Sequence, residues 1–490
     1  MNKVETMRCR PQLRTLFAVL LSAGLLGACA VGPDYKRPAM ELPQDWSTKQ
    51  VPGKPASARQ VSAMGGRWWQ QYADPVLDQL EDEALAHNAD AQVAMARVLQ
   101  ARAQLGITEA DQYPAVSANL SESRNRYSQT GIYHIAPFNQ TQATLNASYE
   151  LDLWGQYRRA SEAARADLLG TEAARDTVRL SLTAQVAQQY FALLADDAEV
   201  AVVRRELAAR QETLALDRKR TEVGVLSEYD LHQSEADEAT VRSQLATLEQ
   251  TRDRQEAALA LLLGRSPRAV MNGTVQRGSL KPVSAWVPAG LPSDLLLRRP
   301  DLQQAEMNLV ALNADIGVAR AQYFPSLNLT AYLGRQSIPF AKLFTGQANI
   351  FQFAANITQP IFNAGRIGDQ VDAAKAARDA ALVQYRQAVA SAFADVRNAL
   401  AEQTAAREVL DAETTRSNAL AQAYQQAQLR YQSGITSHLD LLTVENNYLQ
   451  AELSRLDAQR AQRAAVADLF KALGGGWQDA AGNKQQGAGG

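Results

Sequence analysis

The strongest constraint on this chain is an internal duplication. In the later part of each copy, corresponding residues are 210 positions apart: Gly224/Gly434, Asp230/Asp440 and Leu263/Leu473. In the earlier part the offset is 211, as seen in the pairs Asp90/Asp301, Gly106/Gly317 and Pro114/Pro325. Such self-similarity is typical of a fold in which one supersecondary unit occurs twice. A length of 490 residues would otherwise suggest two or three separate domains, whereas the duplication predicts one body made from two copies.

Each copy contains a long helical stretch followed by a turn. Residues 156–222 and 369–432 contain no proline. In the first stretch, apolar residues recur every seven positions, which predicts a coiled-coil-like seam: Leu193, Val200, Leu207 and Leu214. Gly224 and Gly434 then end these helices, and Ser437 is placed to cap the helix that follows. We therefore predict two long helical hairpins that turn at the two glycines.

A different periodicity follows Pro114 and Pro325. Apolar residues alternate with Ser, Asn, Thr and Gln on both sides of a polar interval, as in Leu327, Leu329 and Ala331. Period two predicts a β-hairpin at 114–152 and a second one at 325–361. Each strand has about ten residues, the length of a tilted transmembrane β-strand. Hairpins of a soluble sheet are the alternative interpretation.

The N-terminus has the features of a secretory signal. Residues 1–28 begin with basic residues and continue with an apolar core, and the following Leu26-Gly27-Ala28-Cys29 resembles the lipoprotein box of bacteria. Processing there would leave acyl chains on Cys29 as a stable membrane anchor. The alternative is an ordinary signal peptide with an incidental cysteine. Because Cys9 lies in the removed segment, we expect no disulfide in the mature chain.

Composition argues against several functional classes. The formal net charge is −2, with 50 basic and 52 acidic residues, so no basic surface for nucleic acid is predicted. The four histidines lack metal-ligand spacing, and no phosphate-binding glycine loop is present. We therefore expect no enzyme, no metal and no cofactor other than the lipid on Cys29.

The predicted fold class is a mixed α/β membrane protein whose sheet is completed by other copies. Four strands cannot close a barrel, and an open sheet edge is not tolerated in lipid. Two copies would give eight strands, and three would give twelve with an aqueous lumen; the strand count leaves both open. The predicted division has six parts: a signal peptide at 1–28, a lipidated extended segment at 29–73, a first repeat at 74–263, an equatorial linker at 264–293, a second repeat at 294–477 and a disordered tail at 478–490.

Several short motifs resemble those of one known family. They are Cys29-Ala30-Val31-Gly32-Pro33-Asp34-Tyr35, Tyr149-Glu150-Leu151-Asp152-Leu153-Trp154-Gly155, Arg298-Arg299-Pro300-Asp301, Tyr323-Phe324-Pro325, Tyr431-Gln432-Ser433-Gly434 and Leu473-Gly474-Gly475-Gly476-Trp477. In these motifs the chain resembles TolC-family outer-membrane efflux proteins of the lipoprotein branch, which serve resistance–nodulation–division (RND) pumps. The resemblance implies a homotrimer in outer-membrane lipid, with a twelve-stranded β-barrel continued by a periplasmic α-helical tunnel.

The same resemblance implies a function. The chain would be a passive exit duct for drugs or other small toxic compounds, delivered by an inner-membrane RND pump and a periplasmic membrane-fusion adaptor. A duct of the same fold for metal-ion export or type I protein secretion is one alternative. A lipid-anchored coiled-coil scaffold without a pore is another.

The resemblance also implies an iris-like gate at the periplasmic tips, which are the turns at Gly224 and Gly434. Asp440 matches a carboxylate that family members place at the constriction, and three copies would form an anionic ring that attracts cations. Leu439 would add an apolar collar beside it.

A lock between the two turns is implied as well. Tyr431 matches a family tyrosine that bonds an aspartate of the first turn, here Asp230. Thr443 departs from the pattern, because many members have a second aspartate at that position. A simpler interpretation, compatible with the gate, is that Asp230 and Asp440 stabilise the N-termini of their helices.

Overall fold

The computed structural model describes residues 30–41, 43, 67–128, 130, 136–278 and 298–475. Within these ranges we number the helices and strands in chain order. The helices are α1 (Pro75–His87), α2 (Ala89–Ala110), α3 (Gln156–Glu222), α4 (Glu228–Leu262), α5 (Pro267–Asn272), α6 (Pro300–Ala321), α7 (Arg366–Gln432) and α8 (His438–Ala472). The strands are β1 (Ala115–Asn125), β2 (Phe138–Leu151), β3 (Ser326–Ser337) and β4 (Asn349–Thr358). The predicted signal peptide, Cys29, most of the linker and the predicted tail lie outside the described residues.

The two copies form matching elements. Helices α3 and α7 each have 67 residues, and the return helices α4 and α8 each have 35. The predicted helical hairpins and β-hairpins are thus confirmed within the described residues. None of the described helices is both long enough and apolar enough to span a membrane.

The four strands form one antiparallel sheet in the order β1-β2-β3-β4. Its register aligns the alternating apolar positions of neighbouring strands: Leu145 pairs with Leu333, and Leu333 pairs with Phe351. Because successive side chains point to opposite faces, this register gives the sheet one apolar and one polar face. Side chains on the apolar face are largely exposed, Phe353 to 77% and Val116 to 70%.

The chain divides into two compact units that do not coincide with the two repeats. The first contains the described residues up to Ala39, together with Arg97–Glu172 and Gln304–Arg386. The second contains those of Met40–Ala96, Ala173–Gln303 and Gln387–Gly490. Each unit takes elements from both repeats, since β2 of the first repeat pairs with β3 of the second. The boundaries of the compact units therefore do not follow those of the sequence repeats.

In the first unit, the N-terminal segment is docked through a contact that only glycine permits. Gly32 has φ 122°, and a Cβ there would lie 2.6 Å from the Cα of Gly317. Beside it, the Val31 N–H donates to the Trp154 carbonyl at 3.0 Å. The Trp154 ring stacks on Phe324 with centroids 4.7 Å apart. These contacts give a structural reason for three of the motifs named above.

Ion pairs hold the same segment in place. The Arg159 guanidinium, almost completely buried, bonds Asp34 at 2.7 Å. Arg37 contacts both oxygens of Glu306, at 2.7 and 2.6 Å, and the Tyr35 hydroxyl donates to Glu306 at 3.0 Å. The guanidinium lowers the pKa of Asp34 through its hydrogen bond and its charge. The segment after Cys29 is therefore fixed by specific contacts.

The second unit has an aromatic core. Trp68 and Tyr72 lie in a 3-10 turn, Trp68–Tyr72, and both are buried. The Trp68 ring stacks on Phe470 at 5.1 Å, and the Tyr72 hydroxyl donates to the Arg463 carbonyl at 2.7 Å. Asp74 then caps α1, which has Pro75 at its first position. The segment predicted as extended thus ends in this buried turn.

Candidate functional site: the helical turns

The turns between the long helices have nearly the same backbone. Gly224 and Gly434 adopt φ of 72° and 73°, the left-handed conformation that favours glycine. A Cβ on either glycine would meet no atom within 4 Å, so the conformation alone requires glycine. Hydrogen bonds from Val225 to the Arg220 carbonyl and from Ile435 to the Arg430 carbonyl, both 2.9 Å, close the helix ends.

A serine caps the helix after each turn. The Ser227 hydroxyl accepts from the Asp230 N–H at 3.1 Å, and that of Ser437 accepts from the Asp440 N–H at 3.2 Å. The Asp440 carboxylate also accepts from the Ser437 N–H at 3.3 Å, which completes a capping box. Both aspartates therefore stabilise helix N-termini, as the simpler interpretation states. A second role at a gate remains a prediction.

The candidate gate residues of α8 lie on one exposed surface. Leu439 is 58% exposed, and Asp440 and Thr443 are exposed beside it. Residues four apart share a helix face, and the Thr443 hydroxyl donates to the Leu439 carbonyl at 2.8 Å. These three side chains are directed away from the packing within the chain. They are available to face a lumen or another copy.

Tyr431 packs against a histidine that no sequence pattern distinguishes. Its ring centroid lies 5.5 Å from that of His438, the first residue of α8. The buried His438 ring places Nε2 4.0 Å from Asp217, which accepts a hydrogen bond from Ser234 at 2.7 Å. Among the described residues, no hydrogen bond joins Tyr431 to Asp230, whose carboxylate accepts from Ser227 at 2.7 Å. Their predicted bond is therefore not formed within one chain in this structure.

Further along the hairpins, one buried arginine joins three helices. Arg210 of α3 bonds Glu206 of the same helix at 2.7 Å, Asp237 of α4 at 2.7 Å and Glu445 of α8 at 3.0 Å. Its guanidinium also donates to the Asn446 amide oxygen at 3.3 Å. We call Arg210 and these three carboxylates the arginine cluster. Because Arg210 and Glu445 are buried and three carboxylates share one cation, loss of that cation would leave negative charge without compensation.

A tyrosine connects the remaining helix of the two hairpins to this cluster. The Tyr424 hydroxyl of α7 donates to Glu445 at 3.0 Å. Burial raises the pKa of Glu445, while Arg210 opposes that shift. Burial and the adjacent Glu445 also raise the pKa of Tyr424. All four long helices near the turns are thus connected through polar side chains.

Comparison with known proteins decides the family. The family model described as "Outer membrane efflux protein" matches this chain twice, at residues 80–265 and 291–475. The chain belongs to this family. The two matches fall on the two sequence repeats, so the duplication is a property of the family model as well as of this sequence.

Relatives cover nearly the whole efflux protein. The toluene efflux pump outer membrane protein TtgC of Pseudomonas putida is 36% identical over 96% of this chain and 98% of its own length. The cation efflux system protein CusC of Escherichia coli is 34% identical over 92% of this chain and 97% of its own. The crystal structure of the Campylobacter jejuni CmeC outer membrane channel matches with a TM-score of 0.87 and 26% identity, covering 92% and 96% of the two chains.

These matches establish what kind of protein this is. It is an outer-membrane channel component of an efflux pump in a Gram-negative bacterium, with a barrel and a helical tunnel that extends into the periplasm. The family resemblance predicted from the short motifs is thereby confirmed. So is the localisation to the outer membrane.

The arginine cluster of the efflux protein was missed in the sequence, although a signal was present. Arg210 comes three residues after Leu207 of the seven-residue stripe, which is a seam position where apolar residues are expected. Asn446 also holds a seam position in α8, because it lies seven residues after Leu439 and seven before Leu453. Polar residues at such positions indicate a buried polar contact between helices. His438 gave no comparable signal, because Asp217 is 221 positions earlier.

Proposed function

We propose that three copies of this chain form a closed twelve-stranded barrel and act as the passive exit duct of a tripartite efflux system. The observation that carries the proposal is the sheet: among the described residues no strand pairs with the outer edges of β1 and β4, and one face of the sheet is exposed and apolar. An edge with unpaired N–H and C=O groups is costly in hydrocarbon, so another copy must pair with it. Three copies supply twelve strands, which leave room for a lumen.

The exposed surface of α8 near the second turn forms the gate of this duct. Three copies of Leu439 and Asp440 would line the constriction as an apolar collar and an anionic ring, and Thr443 would lie one helical turn behind them. In the assembled channel, Tyr431 and Asp230 would lock the closed state. A ring of carboxylates lowers the barrier for cations and raises it for anions.

Planar-bilayer recordings test the gate. Asp440→Ala combined with Tyr431→Phe should raise single-channel conductance, because loss of the Tyr431 hydroxyl removes the lock that holds the constriction closed, and loss of the anionic ring should at the same time lower the preference for cations. The matched control is Asp411→Ala, which removes an exposed aspartate of α7 without altering the turns. Unchanged conductance in the double variant would refute the gate assignment.

Cys29 anchors the duct through covalent lipid. Support comes from the position of the neighbouring Ala30, which lies against Gly155 where β2 passes into α3; a Cβ on Gly155 would lie 3.0 Å from the Ala30 Cα. This is the membrane-proximal end of the strand on the periplasmic side. Mass spectrometry of the mature N-terminal peptide should find acyl groups on Cys29. An unmodified peptide beginning at another residue would contradict the anchor.

A periplasmic adaptor and an inner-membrane RND pump deliver the substrate, which is a small toxic organic compound. Similarity to a toluene efflux protein supports this class, and similarity to a cation efflux protein supports metal ions as the second candidate. Cross-linking in cells followed by purification should recover an adaptor and a pump. Complementation of a strain lacking its own duct then separates the candidates: restored tolerance to organic solvents supports the first, and restored tolerance to metal salts alone supports the second.

A further inference from the structure

The outward end of the sheet has features of a lipid-binding site. The helices leave the sheet from one end, through Leu151 and Thr358, and extend into the periplasm, so the opposite strand ends face the cell exterior. Residues 120–140 and 334–350 include that outer end. They contain four cationic residues, Arg124, Arg126, Arg335 and Lys342, and one acidic residue, Glu122. The outer end of the sheet is therefore positively charged.

The register places one of these cations on the lipid-facing side. Arg335 follows Leu333 by two positions on β3 and pairs with Asn349, just as Leu333 pairs with Phe351. Residues two apart on a strand point to the same face. Arg335 thus stands on the apolar face, immediately beyond its last pair of large apolar side chains. In the membrane, this level is where hydrocarbon gives way to lipid headgroups.

An ordered loop adds aromatic rings and a second cation at that level. The Arg335 guanidinium lies 5.8 Å from the ring centroid of Phe344, so the loop between β3 and β4 lies on the same side as the apolar face. Phe340 packs edge-on against Phe344 at 6.4 Å, and both rings remain exposed, to 59% and 71%. Lys342 lies between them in the chain and is exposed.

The loop is held in shape by its own contacts. Leu343 is almost completely buried, and its N–H donates to the Phe340 carbonyl at 3.0 Å. The Lys342 N–H donates to the Pro339 carbonyl at 3.0 Å, and the Ser337 hydroxyl donates to the same carbonyl at 2.8 Å. Such a loop presents its two phenyl rings without the entropy cost of ordering them.

We propose that Arg335, Phe340, Lys342 and Phe344 bind lipopolysaccharide of the outer leaflet through the phosphates of its lipid A. The two cations would contact the phosphates, and the two rings would insert among the acyl chains. Lipopolysaccharide is chosen because this site is at the exterior end of the strands, where that glycolipid forms the outer leaflet. The proposal depends on membrane insertion and is independent of the gate.

Lipid binding by the purified full-length protein in detergent tests the site. Native mass spectrometry would compare bis-phosphorylated lipid A, dephosphorylated lipid A and phosphatidylglycerol. The expected order has bis-phosphorylated lipid A binding most tightly. R335Q combined with K342Q should weaken its binding roughly 25-fold, since each cation near an anionic headgroup contributes about a factor of five. The control, R397Q combined with R407Q, removes the same charge from exposed positions of α7 and should bind like the parent.

Two further variants keep the test decisive. R335K combined with K342R retains both charges and should bind within about twofold of the parent. This variant separates the effect of charge on lipid binding from any effect of charge loss on assembly. F344A should weaken binding of both forms of lipid A alike, because the ring does not contact phosphate. Equal affinity for phosphorylated and dephosphorylated lipid A, equal affinity for phosphatidylglycerol, or full binding by the charge-removing variant would each overturn the proposal.

Discussion

The two helical turns share a backbone but differ in their side chains. Both have a left-handed glycine, a capping serine and an aspartate bonded to that serine. Several other corresponding positions differ between the two turns. Thr221 of the first turn corresponds to Tyr431 of the second, and the exposed Glu228 corresponds to the buried His438. The duplication has therefore kept the residues that the backbone requires, while the remaining positions have acquired separate roles.

The same contrast holds at the arginine cluster. Leu420 occupies in the second copy the position that Arg210 occupies in the first. Glu445 of the second copy corresponds to Glu235 of the first, which lies at the surface and contacts Arg218 and His232. The arginine cluster therefore joins side chains of the two copies. A variant that lacks it would show how much this difference between the copies contributes to the free energy of unfolding.

The largest effect is expected from replacing Arg210 with its counterpart residue. Arg210→Leu leaves the buried Glu445 and the half-buried Glu206 and Asp237 without their shared cation. Removing one partner of a buried ion cluster costs about 3–5 kcal/mol, because the remaining charges lose their compensation. Urea unfolding followed by helical circular dichroism should show this loss in the free energy of unfolding.

The control for this variant is Arg407→Leu, at an exposed position of α7. A change within about 0.5 kcal/mol is expected there, as for most surface substitutions. A similar small change for Arg210→Leu would mean that the cluster contributes nothing to stability. The difference between the two copies at this position would then make no contribution to the free energy of unfolding.

An intermediate and equal effect is expected at the two glycines. Gly224→Ala and Gly434→Ala should each lower the free energy of unfolding by about 1–2 kcal/mol, since a Cβ is disfavoured in the left-handed conformation. Gly106→Ala in α2 is the control, because a Cβ there also meets nothing within 4 Å and the residue is helical. That variant should gain up to about 1 kcal/mol. Unequal losses at the two turns would break the claim that their backbones are equivalent.

The smallest effect is expected in the pH dependence of the paired glutamates. Burial raises the pKa of Glu445, whereas hydrogen bonds from His232 and Arg218 lower the pKa of Glu235. A raised pKa stabilises the fold at low pH, and this contribution is lost as pH rises above the ordinary glutamate range; a lowered pKa has the opposite effect. Between about pH 4 and 7, Glu445→Gln should therefore gain stability relative to the parent.

Over the same pH range, Glu235→Gln should lose stability relative to the parent. For Glu445→Gln the gain should grow as pH rises through this range, because the parent then has to ionise Glu445 in a buried position. Unfolding free energies measured as a function of pH for the parent and both variants test these opposite changes in stability. If the unfolding free energies of the two variants changed with pH in the same way, the claim that burial raises the pKa of Glu445 and hydrogen bonds lower that of Glu235 would be contradicted.

Sequence reasoning recovered the elements of the fold because their signals are local. Prolines and glycines mark the ends of the long helices, and period-two alternation marks the strands, so both helical hairpins and both β-hairpins were predictable. The division into compact units was not, because it depends on the pairing of β2 with β3 across the repeat boundary. The docking of Gly32 against Gly317 was likewise hidden, since no local pattern connects positions so distant.

The site was predictable only in part, for a related physical reason. Gly224, Gly434 and the two capped aspartates follow from turn and cap chemistry within a few residues. Arg210, His438 and Asp217 depend on the relative register of different helices, which periodicity does not determine. Charges on a long helix are usually solvated, so a buried arginine cluster is not distinguished by composition.

The central claim is that one chain supplies only part of a barrel, which three chains complete. Native mass spectrometry of the full-length protein extracted from outer membranes into mild detergent tests it most directly. The account predicts a mass equal to three mature chains, with no substantial population of single chains. A monomer that stays soluble in water after removal of its lipid would contradict the account.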